Sequence, residues 1–178
     1  ILGLMNRKYT REWYLDRVRA IRRIIPDCGL STDIFAGYCG ETEADHQMSL
    51  SLMEECQYDS AFMFKYSERP GTFAARHLKD DIPEEVKQAR LSKLMRLQQR
   101  ISGEIQAEKM GQTLRVIIDR REGDYYIART EFDSPEVDSE VLIPSESDVA
   151  IGQFAQVRIT RADEFDLYGN IIPSHEGK

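Results

Sequence analysis

The hydrophobic period of this chain changes at Gly111. Before it, apolar residues recur every three to four positions, in stretches separated by short apolar runs and Gly turns. After it they alternate with a period of two in Thr113–Ile118, Tyr125–Thr130, Val137–Ile143, Phe154–Thr160 and Leu167–Ile172. A helical pattern does not settle as a strand, nor the reverse. The chain therefore reads as α/β followed by all-β. Five short strands in about 60 residues, separated by Gly, Asp, Pro and Ser, predict a small five-stranded barrel of OB type.

The same position divides the charge. Gly111–Lys178 hold 14 Asp/Glu against 7 Lys/Arg and carry the whole net charge of −7; the first 110 residues have 17 of each. Such a module repels phosphate backbones and attracts a basic partner. Arg115, Arg120, Arg121, Arg158 and Arg161 still offer local basic patches. At 41% hydrophobic and 31% charged, the composition is that of a globular chain. Its apolar runs fall far short of the roughly 20 residues that span a bilayer. The start has no signal-peptide order of charge and apolar run, so a cytoplasmic location is expected. It opens on Ile1 without a helix start signal, which reads as a piece of a longer protein.

Thr10 is expected to begin a helix with Tyr14, Val18, Ile21 and Ile25 as its apolar side, closed by Pro26. Its arginines, Arg11, Arg17, Arg19, Arg22 and Arg23, fit either a solvated face or a nucleic-acid footprint. Gly29–Phe35 reads as a strand, and Thr42 with Asp45 as a capping-box start for a helix to about Cys56. Asp59–Tyr66 reads as a buried strand, and Ser67–Thr72 as a loop. A long helix enters near Pro83, carries Val86, Leu91, Leu94, Leu97, Ile101 and Ile105, and stops near Gly111. Helix–strand alternation predicts a parallel sheet, and two strands are too few to cover both faces of one. The first 75 residues thus read as the later part of a larger α/β barrel.

Functional groups of α/β folds gather at C-terminal strand ends. Polar Ser31, Thr32 and Asp33, with Gly37 and Gly40 after them, fit either a ligand-binding strand end or a packed Gly turn. Arg69, after the next strand, fits either a phosphate or carboxylate grip or an ordinary surface position. Cys28, Cys39 and Cys56 lie 11 and 17 positions apart, which is neither a metal motif nor a disulfide framework. His46, His77 and His175 lack ligand spacing. No metal site is predicted, and no nucleophile–base constellation.

Several segments together resemble one known family. Met5–Tyr14, Ile24–Asp27, Ser31–Asp33, Gly37–Glu43 and Tyr66–Thr72 resemble the radical-SAM methylthiotransferases, and the residues after Gly111 resemble that family's TRAM domain. Residues 1–75 are most similar to the tRNA-modifying, MiaB-type branch. Residues 80–172 are most similar to the ribosomal-protein-modifying, RimO-type branch, through Asp80–Arg90, Gln98–Ser102, Arg129–Asp138 and Asp163–Gly169.

The resemblance implies four segments. Residues 1–79 would be the C-terminal part of a radical-SAM partial (βα) barrel, 80–110 a connecting helix, 111–172 the TRAM domain and 173–178 a tail. It implies S-adenosylmethionine and two [4Fe-4S] clusters in the full-length parent, insertion of a methylthio group at an unactivated C–H, and a cytoplasmic monomer. Ser31, Thr32, Asp33, Phe35, Gly37 and Tyr66 match cofactor-binding positions, and Arg69, Pro70, Gly71 and Thr72 match a substrate-side loop. The family's CxxxCxxC cysteines have no counterpart, so the 178 residues alone are expected to be inactive, with no catalytic residue of their own. The expected target is an aspartate of a basic ribosomal protein of the small subunit, which suits the acidic barrel; the alternative is N6-isopentenyladenosine of tRNA, which suits the first 75 residues; a non-catalytic substrate-binding module is the reading from another class.

Overall fold

The computed structural model describes residues 1–135 and 138–173. It divides into two compact units, Ile1–Ile101 and Ser102–Lys178.

In the first unit, α1 (Arg11–Ile24) starts at Thr10, whose side chain accepts from the Trp13 N–H. Its buried residues are Leu15 and Val18, whereas Ile21 and Ile25 are exposed. The arginines fit neither expected reading fully, because three of them tie α1 to α2 (Glu43–Cys56). Arg11 and Arg19 pair with Glu55, and Arg22 donates to the Cys56 and Gln57 carbonyls at 3.0 and 2.8 Å. These are carbonyls that the end of a helix leaves without a partner.

α2 opens on the expected capping box. Asp45 Oδ2 accepts from the Thr42 N–H at 2.8 Å and Thr42 Oγ1 accepts from the Asp45 N–H at 3.1 Å. β1 (Ser31–Ala36) and β2 (Ser60–Lys65) pair in parallel, with Ser31 opposite Ser60 and Phe35 opposite Phe64. Paired residues of parallel strands share a face. One face carries Ser31, Asp33, Phe35, Phe62 and Phe64, and Asp33 and the three Phe are exposed. The expectation of a buried second strand is corrected: one face of this two-stranded sheet stays open.

A short helix, α3 (Phe73–His77), lies between the expected loop at Ser67–Thr72 and the long helix. Thr72 caps it by accepting from the Ala75 N–H. The long α4 runs Glu84–Glu108. Within the first unit its buried stripe is Lys87, Arg90, Leu94, Gln98 and Ile101, so three of five positions are polar.

In the second unit, β3 (Thr113–Glu122), β4 (Tyr125–Thr130), β5 (Val141–Pro144), β6 (Phe154–Ala162) and β7 (Leu167–Ile172) close a barrel in the order β3-β4-β5-β7-β6. All neighbours are antiparallel except β5 and β7. Alternate residues fill the interior: Val116, Ile118, Ala128, Val141, Ile143, Val157, Ile159 and Leu167. Irregularities in register at Ile118/Arg120 and Ile159/Arg161 bend the strands for closure. The third strand begins at Val141, later than expected, because the Glu140 N–H donates to Asp166 Oδ1 instead of a strand partner. Val137, the expected start, and His175 lie outside the described residues.

Candidate functional site

The turn after β1 is built from its own side chain. Gly37 takes φ +75° and Gly40 φ +76°, conformations open to glycine at no cost. Glu41 Oε2 accepts from the Gly37 N–H at 2.9 Å and closes the turn. Glu41 Oε1 and its carbonyl accept from Arg90 Nη1 at 2.8 and 3.0 Å, which fastens the turn to α4. Both partners are buried. Burial raises the Glu41 carboxyl above its usual range, and the Gly37 N–H and Arg90 only partly offset it. Asp81 Oδ1 holds the Gly40 N–H at 2.8 Å.

Past β2, the Tyr66 N–H donates to the Ala36 carbonyl at 2.8 Å, so the two strand ends stay level. The Tyr66 ring meets Tyr38 edge to face at 5.0 Å, and Lys87 Nζ lies 5.3 Å from its centroid. Burial, then the neighbouring Cys39 thiol, pushes the Tyr66 hydroxyl up to about 12. Lys87 itself pairs with Asp80.

A cavity of about 690 Å³ opens at these strand ends. That volume suits a small-molecule site. Phe35, Tyr66, Arg69 and Thr72 line it, so four of the ten candidate residues converge. Ser31, Thr32, Asp33, Gly37, Pro70 and Gly71 are not in its lining. Ser31 to Asp33 sit at the opposite end of β1, and Gly37 instead packs its Cα face against Lys87. Pro70 and Gly71 shape the loop that α3 follows; the Gly71 carbonyl accepts from Arg76 at 2.8 Å. The cavity's other wall comes from Leu4, Met5 and Asn6 with Tyr38 and Phe73, none of which stood out as site residues by type or spacing. Asn6 takes φ +56°, a left-handed turn that asparagine adopts more readily than most side chains.

The barrel spends two of its arginines internally. Arg120 pairs with Glu122 and bidentately with Glu140, and Arg129 pairs with Asp119. Others lie on aromatic faces: Arg115 on Phe154 at 4.3 Å and Arg161 on Tyr168 at 3.5 Å, measured from Cζ to ring centroid.

Residues 110–172 match the TRAM domain model. Over 175 residues, 97% of its length, the chain is 56% identical to a tRNA-2-methylthio-N(6)-dimethylallyladenosine synthase of Phocaeicola vulgatus. It is 54% identical over the same length to the protein of that name in Bacteroides thetaiotaomicron. In each case it covers 37% of the relative. It is also 48% identical over 177 residues to the ribosomal protein uS12 methylthiotransferase RimO of Bacteroides thetaiotaomicron, covering 99% of the chain and 41% of that protein. The chain belongs to the methylthiotransferase family.

This methylthiotransferase chain spans less than half the length of the curated relatives it matches. Its cysteines do not fit cluster ligation. Cys28, Cys39 and Cys56 are free thiols, and Cys39 and Cys56 are buried. Among the described residues no group of three His, Cys, Asp or Glu is placed to hold a metal ion, and no helix is long and apolar enough to cross a membrane.

Proposed function

We propose that this chain is the substrate-side part of a radical-SAM methylthiotransferase acting on an adenosine of tRNA. The observation that carries the reading is the cavity where Phe35, Tyr66, Arg69 and Thr72 converge at the C-terminal ends of two parallel strands. This is where α/β folds place ligands. Phe35 and Tyr66 offer aromatic faces for the adenosyl part of S-adenosylmethionine, whose cleavage supplies the hydrogen-abstracting radical. Ser31, Thr32, Asp33 and Gly37 support that strand and its turn. Arg69, with Pro70, Gly71 and Thr72, forms the substrate-side rim, where a guanidinium suits a phosphate. Residues 1–79 serve as barrel wall, 80–110 as connecting helix and 111–172 as the TRAM reader, in a cytoplasmic monomer. The two iron–sulfur clusters take their ligands from outside these residues.

The tRNA target is favoured by the names of the relatives at 56% and 54% identity. A ribosomal-protein target is the second reading, favoured by the 48% identical relative and by the net acidity of Gly111–Lys178. Fluorescence anisotropy of the 178-residue chain against labelled tRNA and against a basic small-subunit ribosomal protein separates the two. Salt-sensitive binding to tRNA is expected; binding to the protein alone would favour the second reading.

A further inference from the structure

Lys87 stands where neither packing nor the helix itself favours a cation. It is 4% exposed, and lysine is almost never fully buried unless it is paired. It also lies in the first turn of α4, where the helix dipole opposes positive charge. Leucine or methionine would fill the same space without a buried charge. The charge therefore calls for a role beyond filling space.

Three contacts hold this side chain behind the cavity. Its stem occupies the space that a Cβ on Gly37 would need, with Lys87 Cγ 2.3 Å from that point. Its Nζ donates to Asp80 Oδ2 at 2.5 Å, and Asp80 stays partly exposed. The same ammonium lies 5.3 Å from the centroid of the Tyr66 ring. Tyr66 in turn meets Tyr38 at 5.0 Å and 72°, and the Tyr38 hydroxyl donates to the Leu4 carbonyl at 3.4 Å. Tyr66, Tyr38 and Leu4 line the cavity, whereas Lys87 does not. One chain of contacts thus runs from α4 through the Tyr66 ring to the opposite wall. A ring held by a cation over its face and by a second ring at a steep angle is fixed in orientation.

We propose that Lys87 is a positioning residue for S-adenosylmethionine. It holds the Tyr66 ring in the orientation that receives the adenosyl part, and it touches neither cofactor nor substrate. Asp80 keeps the ammonium over the ring. A ring already fixed binds a planar base without first losing its own rotamer freedom, a loss that otherwise weakens binding. The inference rests on the reading above that the cavity takes the cofactor, and adds the residue that acts from behind it.

The test uses the full-length methylthiotransferase with its clusters reconstituted. Anaerobic calorimetry titrates it with S-adenosylmethionine in the absence of reductant, so that the cofactor stays intact. Lys87→Met keeps the stem, removes the charge and weakens cofactor binding about fivefold or more, the scale of a cation–π contact. Lys87→Arg keeps a cation over the ring and binds within about twofold of wild type. Asp80→Asn leaves Lys87 without its anion and weakens binding about twofold or more; added to Lys87→Met it has no further effect, because both changes act through the ammonium. In turnover the KM for the cofactor rises more than kcat falls, a split that loss of folded protein does not produce. Melting curves check folding. Asp80 is partly exposed, so Asp80→Asn carries the test if Lys87→Met does not fold. Wild-type affinity in Lys87→Met or in Asp80→Asn overturns the inference, as does a Lys87→Arg variant as weak as Lys87→Met; in each case wild type still binds the cofactor and the reading of the cavity stands. A wild type that binds no S-adenosylmethionine overturns that reading, and the inference with it.

Discussion

A methyl group at Gly37 would overlap Lys87 Cγ and lie 3.0 Å from Lys87 Cβ. The turn after β1 and the first buried residue of α4 are thus shaped to each other. Gly37 also takes φ +75°, which side chains rarely adopt. Gly37→Ala is expected to destabilise the chain by about 2–4 kcal/mol, combining backbone strain with overpacking. Lys87→Ala in the same chain relieves the overpacking and leaves the strain. A double-mutant cycle in urea checks this; strict additivity of the two changes would show that the residues do not share the space.

Glu41 and Arg90 form a buried pair that also holds the Gly37 N–H and the Glu41 carbonyl. Removing one partner leaves the other charge buried and unpaired. Arg90→Leu alone is expected to cost about 3–5 kcal/mol. Glu41→Gln together with Arg90→Leu costs less than the single change. Chemical denaturation of the three variants measures the order, and a double variant weaker than Arg90→Leu would contradict it.

Gly169 meets Arg158 across the barrel wall. An added Cβ would lie 2.6 Å from the Arg158 carbonyl oxygen, with Val157 also in its way. Neither backbone nor a buried Val yields easily. Gly169→Ala is expected to lower stability by about 2 kcal/mol or more, seen as lost amide protection in β6 and β7 by hydrogen exchange. Unchanged protection there would show that the wall is looser than described.

Asp45 is held below the usual carboxylate range by the Thr42 hydroxyl and then by the Thr42 N–H. A depressed carboxyl contributes stability above its unfolded pKa, about 4, and loses it as pH falls through the lower folded value. The melting-temperature gap between wild type and Asp45→Ala is therefore widest above about pH 5 and narrows below about pH 4. A gap independent of pH would remove the capping carboxylate from the account.

Local chemistry made much of the fold legible. Thr10 and Thr42 announce α1 and α2, and apolar-rich runs bounded by Gly, Asp and Pro predict β4 and β7 at their observed bounds. The buried stripe of α4 was hidden because Lys87, Arg90 and Gln98 are polar; each is buried against a partner that hydropathy does not reveal. Phe62 and Phe64 suggested burial by type, but their strand keeps one face open. α3 spans five residues, too few for a period to show. At the site, Phe35, Tyr66, Arg69 and Thr72 come together, whereas the Leu4–Asn6 wall depends on a left-handed turn at Asn6, a residue type that permits such a turn without pointing to a cavity.

The proposal that this chain serves tRNA is tested most directly in cells. Mass spectrometry compares tRNA nucleosides and small-subunit ribosomal proteins from a strain lacking its gene and from the parent strain. The account predicts that a methylthio-adenosine disappears from tRNA while the ribosomal proteins keep their masses. A methylthio group lost from a ribosomal protein, with tRNA nucleosides unchanged, would contradict it.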